Sequence, residues 1–174
     1  MIASMRKFGL IGYPLGHSFS KKYFTEKFSR EGIPDCLYEN FPLTDISQLQ
    51  ELSADPDLAG LNVTIPYKTA VLPFLGRIDP EAAAVGAVNV IKINRYPDSI
   101  ELRGFNSDIY GIADTLKPVI HKEIRKALVL GTGGSSKAVC HVLTSMLIDF
   151  SLVSRQKKPG CLSYRDLDKH VLGS

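Results

Sequence analysis

Short apolar runs bounded by glycine and proline alternate along this chain with segments of helical spacing. That alternation of strand and helix signals implies an α/β fold with a largely parallel sheet, because parallel neighbours need a crossover between them. Residues 6–12 read as a short buried strand and Tyr13-Pro14-Leu15-Gly16 as a turn. Ser18 or Ser20 can cap the helix that follows, since a serine oxygen accepts an orphan backbone N–H. This helix carries Tyr23, Phe24 and Phe28 on one side and stops at Gly32-Ile33-Pro34. A second strand is expected at 36–42, then a short helix from Thr44 with Ile46, Leu49 and Leu52 in register, broken by Asp55-Pro56. A strand at 59–65 leads to a helix at 67–75, and Asp79-Pro80-Glu81 is a helix start with proline at its first position. A strand at 87–93, a hairpin turn at 94–98 and a strand at 100–104 add an antiparallel pair, followed by a helix at 107–116.

A second unit opens near Lys122. Ala127-Leu128-Val129-Leu130 is a buried-strand signal; the glycine loop 131–136 follows, then an apolar helix to about Leu147. Residues 150–153 form another strand ending in Ser154-Arg155-Gln156-Lys157-Lys158, and a last helix is expected at 163–171.

The 174 residues suit one domain, or one domain with part of another. A hydrophobic share of 44% and a charged share of 22% are ordinary for a folded soluble protein. A net charge of +3, with no basic stripe interleaved with aromatics, points away from nucleic acid. Cys36, Cys140 and Cys161 are too few and too scattered for a disulfide framework or a structural zinc site, so no metal is expected and free thiols in a reducing compartment are. No stretch approaches the ~18 apolar residues of a membrane span. No signal-peptide core follows Lys7, so the expected location is the cytoplasm.

Three polar clusters carry chemistry: His17-Ser18-Phe19-Ser20, then Leu61-Asn62-Val63-Thr64-Ile65-Pro66-Tyr67-Lys68, then Asn106-Ser107-Asp108. Alternate residues of a strand share a face, so Asn62 and Thr64 point one way. Pro66 stops the ladder, and Lys68 falls just beyond it. Hydroxyls, an amide and an ammonium are thus offered to one small polar ligand. Simpler readings stand beside this one: Ser18 and Ser20 as caps, Thr64 as a β-branched strand residue, Lys68 as an exposed helix lysine, Asp108 as the cap of helix 109–116, and His17 as a turn residue. Asn89, expected mid-strand between Val88 and Val90, would be a buried amide that needs partners.

A strand, a glycine loop and a helix hold a diphosphate, because glycines admit close approach and the helix N-terminus presents N–H groups. Gly131-Thr132-Gly133-Gly134-Ser135 supplies that loop, with Ser136 where a third glycine or alanine is usual. An NAD-preferring fold carries Asp or Glu ~20 residues after the loop, on the ribose 2′-hydroxyl. Here Ser154-Arg155 occupies that place, with Lys157 and Lys158 behind it. A guanidinium and ammoniums suit a 2′-phosphate, which favours NADP over NAD.

Five segments in order resemble the shikimate dehydrogenase family and cover nearly the whole chain. They are Ile11-Gly12-Tyr13-Pro14 with His17-Ser18-Phe19-Ser20; Gly60-Leu61-Asn62-Val63-Thr64-Ile65-Pro66-Tyr67-Lys68; Gly86-Ala87-Val88-Asn89; Gly104-Phe105-Asn106-Ser107-Asp108; and Gly131-Thr132-Gly133-Gly134. The resemblance implies reversible NADPH-dependent reduction of 3-dehydroshikimate to shikimate, on the route to chorismate and the aromatic amino acids. It implies a mostly parallel three-layer substrate domain at 1–109, then a partial Rossmann-type NADP-binding domain at 110–174, with the active site in the cleft between them. By the same resemblance Ser18 and Ser20 hydrogen-bond the substrate carboxylate. Asn62, Thr64, Lys68, Asn89 and Asp108 belong to the substrate site, with Lys68 and Asp108 as the catalytic pair. Residues Gly131, Thr132, Gly133, Gly134, Ser135, Ser154, Arg155 and Lys158 are the expected NADP contacts.

Family members continue well past the length of this chain, with the rest of the dinucleotide domain and a C-terminal helix that returns a glutamine to the substrate domain. The expectation is therefore a partial dinucleotide sheet whose strands expose apolar faces, with poor solubility or self-association (a homodimer, for instance) as the consequence. Two other readings stay open: a shikimate-sensing module without turnover, and a quinate/shikimate dehydrogenase using NAD. Arg155 argues against the latter.

Overall fold

The computed structural model describes residues 5–16, 18–121 and 123–167. It contains two compact units that divide between Asn106 and Ser107.

The first unit is a six-stranded sheet. Its strands are β1 (Arg6–Gly12), β2 (Cys36–Pro42), β3 (Leu58–Val63), β4 (Arg77–Ile78), β5 (Val90–Tyr96) and β6 (Ser99–Phe105). They lie in the order β2-β1-β3-β5-β6-β4. β1 runs parallel to both β2 and β3, β4 is parallel to β6, and β5 is antiparallel to both its neighbours. The antiparallel pair expected from the hairpin is present, and β5 is its reversed member. The helices are α1 (Ser20–Arg30), α2 (Gln48–Ser53), α3 (Tyr67–Ala70) and α4 (Pro80–Val85).

Two cores sandwich the sheet. On one face Ile11, Leu49, Leu58, Val63, Val71, Ala82, Val88 and Ile91 form the larger, buried almost completely. On the other, Phe24 and Phe28 of α1 pack on Leu10, Leu15 and Tyr38. Burial of a Leu, Ile or Phe side chain stabilises by ~1.5–3 kcal/mol, so these two clusters hold the layers together. α4 begins as its sequence requires: Asp79 accepts a hydrogen bond from the Glu81 N–H at 3.2 Å, and Gly86 closes the helix at φ +66°.

Several boundaries differ from the sequence expectation for identifiable reasons. The helix expected at 67–75 stops at Ala70 and resumes as a 3-10 turn, Leu72–Phe74, because Pro73 lacks an N–H and its ring conflicts with an uninterrupted α-helix. The helix expected from Thr44 begins at Gln48, whose Oε1 instead accepts from the Thr44 and Asp45 N–H groups. The β3 ladder ends at Val63, and Thr64 adds one bond to the Ile11 carbonyl. The strand expected at 87–93 is Val90–Tyr96, since the ladder with β6 runs out to Tyr96 opposite Ser99.

The second unit has α5 (Asp108–Leu116), β7 (Lys126–Leu130), α6 (Gly134–Ser145), β8 (Asp149–Ser154) and β9 (Cys161–Ser163). Its three strands are parallel, in the order β7-β8-β9. Val129, Leu143 and Ile148 form its core, with Leu116, Ile120, Phe150 and Leu152 against them. Leu130 is 63% exposed. The last helix expected, 163–171, is replaced by β9 and a 3-10 turn, Tyr164–Asp166, started by a Ser163–Asp166 capping box; residues 168–171 lie outside the described residues.

Candidate active site

β1 lies between β2 and β3, so the chain leaves it first to one side and then to the other. Ligands of open α/β sheets bind beyond the carboxyl ends of strands at such a switch point. Two loops leave the sheet here, one after β1 and one after β3. They are tied together: the Tyr13 N–H donates to the Ile65 carbonyl at 3.0 Å, and the Thr64 N–H to the Ile11 carbonyl at 2.9 Å. Gly12 permits this approach, because a Cβ there would run into the Thr64 methyl, Leu15 and the Ile65 carbonyl. The Tyr13-Pro14 and Ile65-Pro66 bonds in these loops are both cis.

The first unit brings six of the expected substrate residues to this end of the sheet. Ser18 follows β1; its N–H donates to the Leu15 carbonyl at 3.0 Å, and its hydroxyl accepts from the Ser20 N–H, the first residue of α1. The N-cap of α1 is nevertheless Phe19, with no side-chain cap, so neither Ser18 nor Ser20 is the cap expected from the sequence; Ser18 closes a local i→i+2 bond, and its own hydroxyl hydrogen stays available as a donor. Thr64 packs on Gly12, and Asn62 faces the α1 side of β3. Because β5 is antiparallel, it starts at the end where β1 and β3 finish. Asn89 stands in the bend just before β5, not in mid-strand, yet it is buried as expected at 9% exposure. Its carbonyl accepts from the Val63 N–H at 2.8 Å and its N–H donates to Phe105 at 3.0 Å, which fixes it between β3 and β6. Half-buried Lys68 lies on α3, where its carbonyl accepts from the Val88 N–H at 2.7 Å. The Tyr67 hydroxyl anchors α3 by donating to the Leu43 carbonyl at 2.7 Å. Asn106, at the end of β6, donates to the Ala87 carbonyl at 2.8 Å in a buried bond. His17 lies outside the described residues.

Tyr38 is the residue the sequence reading passed over. It is 4% exposed on β2, and its hydroxyl donates to Asn62 Oδ1 at 2.8 Å. Burial pushes the pKa of that hydroxyl up to about 12, opposed in part by the nearby Ser20 hydroxyl. Nothing in the linear pattern distinguishes Tyr38 from any inward-facing strand aromatic. Asn40, two residues on and so on the same face of β2, has a buried Oδ1 with no hydrogen-bond partner among the described residues.

In the second unit Asp108 is half-buried as the first residue of α5. The glycine loop lies between β7 and α6. Gly131 has φ +124°, and its N–H donates to the Val153 carbonyl at 2.9 Å. A Cβ on Gly131 or Gly133 would meet nothing within 4 Å, so the loop backbone faces open space. Gly133 occupies the N-cap of the 12-residue α6 and brings no side chain to its first-turn amides. Ser136 turns its hydroxyl back to the Gly133 carbonyl at 2.7 Å, and fully buried Ala138 is the small residue that lets α6 approach the sheet. Lys158 Nζ donates to Thr132 Oγ1 at 2.9 Å, joining the basic segment after β8 to the glycine loop. Ser154 is 5% exposed, and its oxygen accepts from the Gln156 N–H; Arg155 is exposed. Asp166, bonded to the Ser163 N–H, is held below the usual carboxylate range by Ser163 first and weakly by Lys157. A carboxylate therefore stands near the basic segment after all, beside Lys157. The open glycines, the uncapped helix start and the cations of the next loop fit a nucleotide diphosphate with an added phosphate.

Among the described residues no cluster of His, Cys, Asp or Glu could hold a metal ion, and no helix is long and apolar enough to cross a membrane. Cys36 is buried, Cys140 and Cys161 are half-buried, and all three are free.

Residues 10–91 match the family model described as the shikimate dehydrogenase substrate binding domain. The chain is 36% identical over 140 residues to a shikimate dehydrogenase (NADP(+)) of Syntrophomonas wolfei, which covers 79% of this chain and 47% of that protein. Its fold matches the crystal structure of shikimate dehydrogenase 1 from Peptoclostridium difficile with a TM-score of 0.79 and 33% identity, over 91% of this chain and 60% of that one. It also matches the shikimate dehydrogenase of Thermus thermophilus in complex with NADP(H) and shikimate, with a TM-score of 0.72 and 29% identity, over 87% of this chain and 57% of that one. The chain spans about half the length of the curated shikimate dehydrogenases it matches.

Proposed function

This chain belongs to the shikimate dehydrogenase family, and on that premise we propose that its first unit binds shikimate or 3-dehydroshikimate and serves their NADP-dependent interconversion. The observation that carries the reading is the gathering of Ser18, Ser20, Asn62, Thr64, Lys68 and Asn89 at the β1–β3 switch point, inside or flanked by the segment that matches the substrate-binding family.

The chemistry of that set suits the ligand. Shikimate is a ring with one carboxylate and three hydroxyls, so it needs donors for the acid and groups that both donate and accept around the ring. Ser18 and Ser20 supply hydroxyls to the carboxylate. Thr64, Asn62 and Asn89 serve the ring hydroxyls. Lys68 stands ready for the carbonyl oxygen of 3-dehydroshikimate, where negative charge grows as the ketone is reduced and a proton donor is needed. Asp108, the other residue proposed for the catalytic pair, begins α5 of the second unit.

The nucleotide supplies the hydride; this chain supplies position and electrostatics. Gly131, Thr132, Gly133, Gly134 and Ser135 are the residues that would hold the diphosphate, while Ser154, Arg155 and Lys158 would meet the 2′-phosphate. On this reading 110–174 is the first part of a Rossmann-type NADP domain, and the protein works in the cytoplasm.

Calorimetric titration of the chain with shikimate tests the proposal, with NADP-linked oxidation of shikimate measured alongside. Saturable one-to-one binding that Thr64→Val weakens is expected. Absence of binding at millimolar shikimate defeats the reading; binding without turnover supports the substrate site and favours a sensing role.

A further inference from the structure

The Tyr38 ring is locked before its hydroxyl is considered. It stacks on Phe24 of α1, with centroids 4.5 Å apart and planes 13° from parallel, and it packs against Leu10 of β1. Tyr38 and Asn62 are not on adjacent strands: β1 lies between them, with Phe8 beside Tyr38 and Leu10 beside Asn62 in the two ladders. Two strand spacings are about 9.6 Å, and a tyrosine is long and rigid enough to cross β1 and still deliver a hydroxyl to the Asn62 amide. That hydroxyl donates to Oδ1 at 2.8 Å, and among the described residues none accepts from Asn62 Nδ2.

We propose that Tyr38 is a positioning residue for the substrate: it fixes the Asn62 amide with its oxygen turned toward β2 and its Nδ2 donors turned to the ligand. The proposal rests on the functional reading above. One buried phenol on β2 thereby holds a residue of β3 from across the intervening strand β1. An asparagine amide free to rotate would present oxygen or nitrogen to a hydroxyl-rich ligand with little preference; a pinned one discriminates. Burial keeps the phenol protonated across neutral pH, so it remains a donor and the amide keeps one orientation.

The test is a double-mutant cycle on the full chain, read by shikimate titration. Tyr38→Phe keeps the ring and its stacking, so the melting temperature should move by no more than a few degrees, while shikimate binds about five- to tenfold more weakly. In an Asn62→Ala background the same substitution should cost nothing further, because the group it positions is gone. That non-additivity is what a purely structural tyrosine does not produce. Unchanged affinity in Tyr38→Phe overturns the inference, and so does a full additional loss in the Asn62→Ala background. Failure of the wild-type chain to bind shikimate is a different result: it sinks the functional reading and, with it, the ligand assigned to the network.

Discussion

Lys158 reaches back 26 positions in sequence to hydrogen-bond Thr132, 2.9 Å from Nζ to Oγ1. The basic segment after β8 and the glycine loop after β7 are therefore one surface, as adjacent parallel strands require. Arg155 is the exposed cation of this surface that no described side chain engages, since Lys158 is bonded to Thr132 and Lys157 lies near Asp166. Arg155→Ala should weaken NADP binding tenfold or more, the scale of a lost charge-assisted hydrogen bond. NAD binding should change less than about twofold. Parallel fluorescence titrations with the two nucleotides check this; equal losses would place Arg155 on a part common to both.

Lys68 invites a similar separation of roles. It belongs to the first unit, on a short helix anchored by Tyr67 and Val88, and has no part in the glycine loop. Lys68→Ala should lower turnover of shikimate by ~10²–10⁴-fold, the usual span for a lost proton-transfer group. NADP affinity should stay within about twofold. Steady-state rates and an independent NADP titration give the two numbers, and a matching drop in nucleotide affinity would move Lys68 to another site.

Much of this was legible in the chain because strand and helix periods differ and because Gly and Pro mark the breaks. β1 and β2 have the expected limits, and Asp79-Pro80 starts α4 as its chemistry demands. Misplaced limits trace to local competition that periodicity does not register: Pro73 splitting a helix, and Gln48 bonding backward to Thr44. The candidate site was legible where polar residues stand against an apolar background, as at Asn62 and Asn89, which the structure brings to one end of the sheet. Tyr38 was not, because its role depends on reaching across β1, a relation that exists only once strand order is known. Asp166 was missed near the basic segment for the same reason: β9 and its capping box bring it back.

Leu147 sits at φ +58°, just past the end of α6, and is 83% exposed. A left-handed conformation suits glycine at that place; for a branched residue it costs roughly 1–2 kcal/mol. Exposure means that little packing offsets the strain. Leu147→Gly should therefore raise the stability of the second unit by about 0.5–1 kcal/mol after the added chain entropy of glycine is deducted. Urea melts followed by hydrogen exchange on β7 and α6 measure this. A loss of stability would show that the leucine side chain contributes packing beyond its exposed surface.

The first unit carries a pH-dependent ion pair well away from the proposed chemistry. Lys7 Nζ donates to Asp55 Oδ2 at 2.5 Å, joining β1 to the end of α2. The Lys7 hydrogen bond holds the Asp55 carboxyl below its usual range, and the Asp55 hydrogen bond raises the Lys7 ammonium above its own. A depressed carboxylate contributes stability that is present above the unfolded value, ~3.9, and lost as pH falls through the lower folded one. A raised ammonium contributes stability that is present below ~10.4 and lost as pH rises through the higher folded one. The pair's contribution is thus level between about pH 5 and 9 and fades at both ends. With side chains 26% and 28% exposed, it is worth at most about 1 kcal/mol. Asp55→Asn keeps the second oxygen's bond to the Asp57 N–H available and removes the charge. Its stability deficit against the wild type, from urea midpoints between pH 2.5 and 8, should be constant near neutrality and shrink toward zero at the acid end. A deficit that stays the same down to pH 2.5 would mean the lost charge was never the source of the stability.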